Sequence, residues 1–96
     1  MTKMFVVVVQ GVYRHEILGV FDDYSLAVKV AQDAAYEEKD GYHTFEVLSG
    51  TLNQPVADMD TVYSCKWQVE RVLDDEAKRI LGWKKIKLLE ETTNDN

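Results

Sequence analysis

Cysteine, proline and glycine are all scarce in this chain of 96 residues, which contains one cysteine, one proline and five glycines. Because Cys65 is the only cysteine, no disulfide can form within the chain, and the two histidines have no close partner at the spacing of a metal site. The few glycines form neither a Gly-x-Gly-x-x-Gly motif nor a Walker phosphate loop. The sequence therefore predicts no cofactor and no metal.

Long apolar runs are also missing. The N-terminal run consists of Phe5 and the four valines that follow it, which is too short for a signal peptide or a membrane span. We therefore expect a cytoplasmic protein that does not act at a membrane.

Acidic residues outnumber basic ones by 17 to 11, and the net charge of −6 is unevenly distributed. Residues 1–63 carry ten acids and four bases, whereas residues 64–96 carry seven of each. Five bases and no acid lie between Ala77 and Leu89. Direct binding of nucleic acid is not expected, because the acidic remainder would repel phosphates over most of the surface.

The composition fits a single domain. A hydrophobic fraction of 46% with ten aromatic residues argues against disorder, and 96 residues are too few for two cores. We expect one domain over residues 1–91 and a frayed polar end over residues 92–96.

The first half of the chain predicts two strands and a helix. The first strand is predicted over 4–13, because it contains a β-branched run from Phe5 to Val9 that is apolar on both faces, which is typical of a central strand. The second strand, over 16–21, returns antiparallel to it. One face of the following helix is small and apolar, with Ala27, Val30, Ala31 and Ala34.

The helix has candidate start and stop signals. We expect Asp22 to cap its first turn and Gly41 to end it. Phe21 and Leu26 have the spacing of a hydrophobic staple across the first turn.

The second half predicts two more strands and a second helix. Alternation over 42–48 predicts a third strand, and 49–60, which contains Gly50 and Pro55, predicts a loop. The fourth strand, over 61–73, alternates most clearly, with one face formed by Tyr63, Cys65, Trp67, Val69, Arg71 and Leu73.

Three acids at 74–76 are typical of a helix N-terminus, and this second helix either ends at Gly82 or continues to Leu89. The order is β-β-α-β-β-α. It predicts an α+β fold with one mostly antiparallel sheet and helices packed on it.

The sequence shows no catalytic constellation. Cys65 would be the obvious nucleophile, with His15 or His43 as its base, but their spacing matches no local signature. Because Cys65 lies on the predicted core face of the fourth strand, an inert buried thiol is the interpretation. We therefore predict a protein that is not an enzyme.

Several residues carry a resemblance to a known group of domains: Val12-Tyr13, Gly19-Val20-Phe21-Asp22, Ala27, and 69–73 at the end of an alternating strand. Here the chain resembles small uncharacterised phage and bacterial domains in which a strand pair leads through a Gly-Val-Phe corner into an alanine-bearing helix. The resemblance covers 5–48 and 62–73 and implies no catalytic residues. It implies a phage accessory protein that binds a host protein in fixed stoichiometry, as a host-takeover or anti-defence factor.

The leading functional hypothesis is a protein-binding module. Its expected partner-binding residues combine apolar anchors with bases near the C-terminus: Trp83, Lys84, Lys85, Ile86, Lys87 and Leu89. Trp83, Ile86 and Leu89 would form one stripe on a continued helix. In the opposing interpretation Trp83 folds back and covers the sheet.

Two alternatives remain open. The first is a DNA mimic that presents phosphate-like charge from Asp22, Asp23, Asp33, Glu37, Glu38 and Asp40. The second is a small-molecule-binding domain with a pocket around Tyr13, His43 and Trp67.

Overall fold

Five strands and one long helix make up the computed structural model, which describes residues 2–11, 15–38 and 41–93. In chain order they are β1 (Lys3–Gln10), β2 (His15–Phe21), α1 (Tyr24–Glu37), β3 (Thr44–Thr51), β4 (Asp60–Asp74) and β5 (Arg79–Thr92). A short 3-10 helix, Val56–Asp58, precedes β4. The strands form one antiparallel sheet in the order β2-β1-β3-β4-β5. The α+β class is confirmed, but the expected second helix is wrong because the chain forms a fifth strand there.

The main core lies between α1 and one face of the sheet, which we call the helix side. Three alanines of α1, Ala27, Ala31 and Ala35, are buried there. Their small side chains allow the helix backbone to lie close to the sheet. They pack against seven sheet residues: Phe5, Val7, Val9, Phe45, Val47, Tyr63 and Cys65.

The opposite face, which we call the far side, has a smaller core. Val6, Val8 and Leu48 are buried there, with Met59 packed on them from the segment before β4. Because β1 has neighbours on both edges and cover on both faces, its valine run is buried throughout. The prediction of a central first strand is confirmed.

The ends of α1 differ from the sequence prediction. Asp23, not Asp22, is the N-cap, and its Oδ1 accepts hydrogen bonds from the backbone N–H groups of Ser25 (2.9 Å) and Leu26 (3.3 Å). The predicted staple is wrong as well, since the Leu26 side chain is 46% exposed.

The helix also stops earlier than expected. It ends at Glu37, and Glu38 is already extended, so Gly41 is not the stop. Gly41 has φ of +68°, and a Cβ there would lie 2.5 Å from the backbone oxygen of Trp67. The glycine is needed because the chain passes close to β4 in a left-handed conformation.

The loop expected over 49–60 is shorter in the structure, because strands occupy both of its ends. β3 continues to Thr51, and Gln54 then holds the following turn: its Oε1 accepts from the Thr51 N–H (2.9 Å) and its Nε2 donates to the Asp58 carbonyl (2.9 Å). At the other end, β5 includes Thr92, and the Thr93 N–H donates to the Val62 carbonyl at 3.1 Å. The expected frayed end is therefore wrong at 92–93, and 94–96 lie outside the described residues.

The acids at 74–76 form a turn and do not start a helix. The Asp74 Oδ1 accepts from the backbone N–H groups of Glu76 (3.1 Å) and Ala77 (3.2 Å), and its carbonyl accepts from Lys78 (2.7 Å). Lys78 adopts φ of +52°, a left-handed conformation that a helix interior does not allow. The turn reverses the chain, so that residues 79–92 pair along β4.

Candidate docking surface

A two-stranded arm projects from the sheet. β4 pairs with β3 only as far as Cys65, whereas its pairing with β5 continues to Asp74. We call residues 66–89 the arm, because here β4 and β5 pair only with each other among the described strands. The nine β4 residues in the arm span about 30 Å at the usual rise of a strand.

The arm makes the molecule elongated. Its principal extents are 60 × 25 × 18 Å, and its radius of gyration is 15.9 Å. A compact chain of this length would have a radius of gyration of about 12 Å, so the observed value indicates an elongated molecule. No described residue after Cys65 is buried, so the arm has no core of its own.

The two faces of the arm follow from its register. Paired residues of antiparallel strands lie on the same face, and successive residues alternate. Trp67 and Leu88 pair and pack against the main core, which places them on the helix side. The next helix-side pairs along the arm are Val69 with Lys85, Arg71 with Trp83, and Leu73 with Ile80. The far side is more polar, with Lys66, Gln68, Glu70, Val72 and Asp74 of β4 opposite Leu89, Lys87, Lys84, Gly82 and Arg79 of β5.

The helix side of the arm exposes large apolar side chains. Leu73, Ile80 and Trp83 are 53%, 49% and 41% exposed. Since α1 ends at Glu37, no helix among the described residues covers this stretch. An isolated two-stranded hairpin gains little stability in water, and exposed apolar groups at its end are typical of a docking surface.

The base of the arm is held by α1. The rings of Tyr36 and Trp67 meet edge to face with centroids 5.6 Å apart, and the Lys85 Nζ lies 4.7 Å from the Tyr36 ring centroid. An edge-to-face aromatic pair and a cation–π contact each add stability at a partly exposed site. Tyr36 therefore marks where the helix layer ends and the bare arm begins.

The structure separates the six predicted partner-binding residues between the two sides. Trp83 and Lys85 lie on the helix side, whereas Lys84, Lys87 and Leu89 lie on the far side. Ile86 is the extra residue of a β-bulge, because Gln68 pairs with Lys87 and Val69 with Lys85. The stripe expected of Trp83, Ile86 and Leu89 on a helix is therefore wrong.

The alternative position expected for Trp83, folded back over the sheet, does not occur. Trp83 pairs with Arg71 on the arm and is not among the residues packed against either core. Sequence reasoning missed its neighbours Leu73 and Ile80 as site residues. The signal was present for Leu73, since the alternation of β4 places it on the face of Trp67.

Charge differs between the arm and the rest of the chain. The arm has seven bases and four acids, a net charge of +3, and the rest has four bases and thirteen acids, a net charge of −9. On the helix side the bases are Arg71 and Lys85. The arm therefore offers an apolar strip with basic flanks.

The single thiol lies in the core and not on the arm. Cys65 is 2% exposed, and burial raises its pKa to about 11, with the nearby Glu90 charge acting in the same direction. Burial also raises the pKa of neighbouring Tyr63, whose hydroxyl accepts a hydrogen bond from Gln32 Nε2 at 3.1 Å. The predicted burial of Cys65 is confirmed, and a protonated, enclosed thiol is a poor nucleophile.

His43 is held in a pair with a carboxylate. The Glu38 Oε1 lies 2.8 Å from both the backbone nitrogen and the Nδ1 of His43. The ring packs over Gly11, where a Cβ would lie 2.0 Å from it. The pair ties the end of α1 to the start of β3, which is a structural role. Tyr13, also expected at the small-molecule pocket, lies outside the described residues.

The acids considered for a DNA mimic do not form one exposed set. Asp23 caps α1, and Glu38 is engaged with His43 and is only 10% exposed. Asp22, Asp33 and Glu37 are exposed, while Asp40 lies outside the described residues.

Comparison with known proteins adds no relative. No family model, no curated protein and no solved structure matches the chain. No helix among the described residues is long and apolar enough to cross a membrane. Over the same residues, no three His, Cys, Asp or Glu side chains gather closely enough to hold a metal ion.

Proposed function

We propose that the chain is a non-enzymatic module that binds a partner protein through the helix side of its arm. The observation that supports this most directly is the exposure of Trp83, Leu73 and Ile80 on one face of a projecting hairpin. Tryptophan is among the residues most often found at binding hot spots, and a hairpin without a core of its own gains stability when a partner covers it.

The charge of the arm favours an acidic partner. Arg71 and Lys85 flank the apolar strip, and they would steer association toward a negatively charged surface. The resemblance to small phage domains favours a bacterial host protein as that partner, bound in fixed stoichiometry in the cytoplasm.

The test compares capture of bacterial proteins by the full chain and by two alanine variants. Trp83→Ala removes the expected hot spot, and Ile17→Ala removes an apolar side chain of β2 that is 59% exposed and far from the arm in the strand order. We expect a captured protein to bind Trp83→Ala about 30-fold or more weakly, corresponding to about 2 kcal/mol, and to bind Ile17→Ala normally.

Both variants must have the circular dichroism of the parent chain before binding is compared. Equal binding by Trp83→Ala and the parent chain would contradict the proposal. Loss of binding in Ile17→Ala alone would also contradict it, because the interface would then lie at the β2 edge.

A further inference from the structure

The molecule is thicker at one end than at the other, and we call the change in thickness on its helix side the step. The half that contains α1 has two layers, sheet and helix, whereas the arm has only the sheet. The step lies just beyond Tyr36 and has the height of one helix, about 10 Å. Two such molecules, stacked antiparallel with their helix sides facing, would each fill the step of the other.

The surface that would fill the step is the outer face of α1. With Ala27, Ala31 and Ala35 buried, the opposite stripe of the helix consists of exposed residues: Leu26, Lys29, Asp33 and Glu37. Tyr36 lies beside the end of this stripe, toward the arm, where its ring also meets Trp67 of the same chain. Leu26 and Tyr36 are apolar and are 46% and 55% exposed. The 14 residues of α1 span about 21 Å, which fits within the arm's length of about 30 Å.

The charges of the two surfaces are complementary. Arg71 and Lys85 are the bases on the helix side of the arm, while Asp33 and Glu37 are the acids on the outer stripe of α1. At larger scale, an arm of net charge +3 would lie on a body of net charge −9. Opposite charges across a contact favour association and fix its orientation.

We infer that the free protein forms a reciprocal dimer in which each arm covers the α1 of the other copy. Each contact is about 21 Å long, the length of α1, and about 10 Å wide, so the two contacts bury about 840 Å² in total, which is the size of a weak, transient interface. The apolar residues of the arm are thereby covered when no other protein is bound. The inference concerns the same arm as the proposed function, and only its regulatory consequence rests on that function: another partner must displace the second copy.

The experiment is sedimentation velocity of the full chain with complementary charge reversals. The arm variant carries Arg71→Glu and Lys85→Glu, and the helix variant carries Asp33→Lys and Glu37→Lys. The control carries Lys66→Glu and Lys87→Glu, the same charge change on the far side of the arm. Samples cover about 1 to 200 µM, which brackets the micromolar affinity of small interfaces.

We expect the parent chain and the control to sediment as dimers. The arm variant and the helix variant should each be monomeric, because the two surfaces then carry the same charge. When mixed, they should form a heterodimer, since both reciprocal contacts again join opposite charges. Circular dichroism establishes that each variant is folded.

Three results would overturn the inference: a parent chain that stays monomeric at the highest concentration, charge variants that dimerise alone as well as the parent does, or a mixture that stays monomeric. A monomeric parent that still captures a protein through Trp83 would leave the proposed function intact. A dimer that captures nothing would support the inference and contradict that function.

Discussion

The two tryptophans on the helix side should respond very differently to replacement by alanine. Trp67 packs against the main core and meets Tyr36 edge to face at 5.6 Å, whereas Trp83 lies on the arm and is 41% exposed. Loss of a core tryptophan costs about 3–5 kcal/mol. Because Trp67 is only half-buried, we take the lower limit, about 3 kcal/mol, of which the aromatic pair contributes about 1 kcal/mol.

For Trp83 the main loss is one cross-strand pair with Arg71, which contributes about 0.2–1 kcal/mol. In a chain of this length, about 1 kcal/mol shifts the melting temperature by about 4–8 °C. Trp67→Ala should therefore lower the melting temperature by about 12 °C or more, and Trp83→Ala by about 8 °C or less.

The assay is urea and thermal unfolding followed by far-ultraviolet circular dichroism, which reports mainly on the backbone and does not rely on the fluorescence of the tryptophan that each variant removes. It should use dilute protein, so that any association through the arm does not add to stability. If Trp83→Ala proved as destabilising as Trp67→Ala, Trp83 would belong to the core, and an exposed arm would be refuted.

Two further predictions concern the helix cap and the buried thiol. Asp23→Ala should lower the free energy of unfolding by about 1 kcal/mol in urea titrations, because it removes the acceptor for two backbone N–H groups, whereas Asp22→Ala, with the same change of charge, should cost much less. If both variants lost the same free energy of unfolding, the Asp23 side chain would not be the helix cap. Cys65 should react slowly with thiol reagents in the folded protein and rapidly in denaturant, and labelling within seconds under native conditions would contradict its burial. Because burial raises its pKa from 9.0 to about 11, its contribution to stability is complete below about pH 9 and is lost as the pH rises toward 11. Urea unfolding of the parent chain should therefore weaken by about 2–3 kcal/mol more over that interval than unfolding of Cys65→Ala, and identical pH profiles would contradict the shift.

The patterns that predicted the fold correctly are those set by burial. The valine run of β1 and the alternation of β4 both record which side chains face the core, and the structure places Val7, Val9, Tyr63 and Cys65 there. The alternation of β4 even continues correctly into the arm, where Leu73 lies on the side of Trp67 although no core lies beneath it. Burial leaves a periodic signal that a single sequence retains.

The sequence patterns that predicted the wrong structure are those over 77–89, where the choice between helix and strand depends on pairing with another strand. Residues 77–89 contain many lysines and leucines, which are good helix formers, and they follow three acids that resemble a helix start. Their strand conformation comes from pairing with β4 across the Asp74 turn, and pairing of this kind overrides local preference. Two bulges, at Ile86 and Leu81, also break the alternation that would have identified a strand.

The separation of core and arm affects how the sequence of such a chain can evolve. All buried residues that the structure describes lie before residue 66, and within the arm only Trp67 and Leu88 pack against the main core. Substitutions at the exposed residues farther along the arm therefore do not disturb the packing of Val7, Ala31 or Phe45. Mutations that alter the arm's surface are therefore tolerated by folding and are selected only through what the arm contacts. A lineage can replace one partner with another by changing a few exposed residues such as Leu73 and Ile80. The core, where added volume forces strain, must meanwhile stay nearly constant.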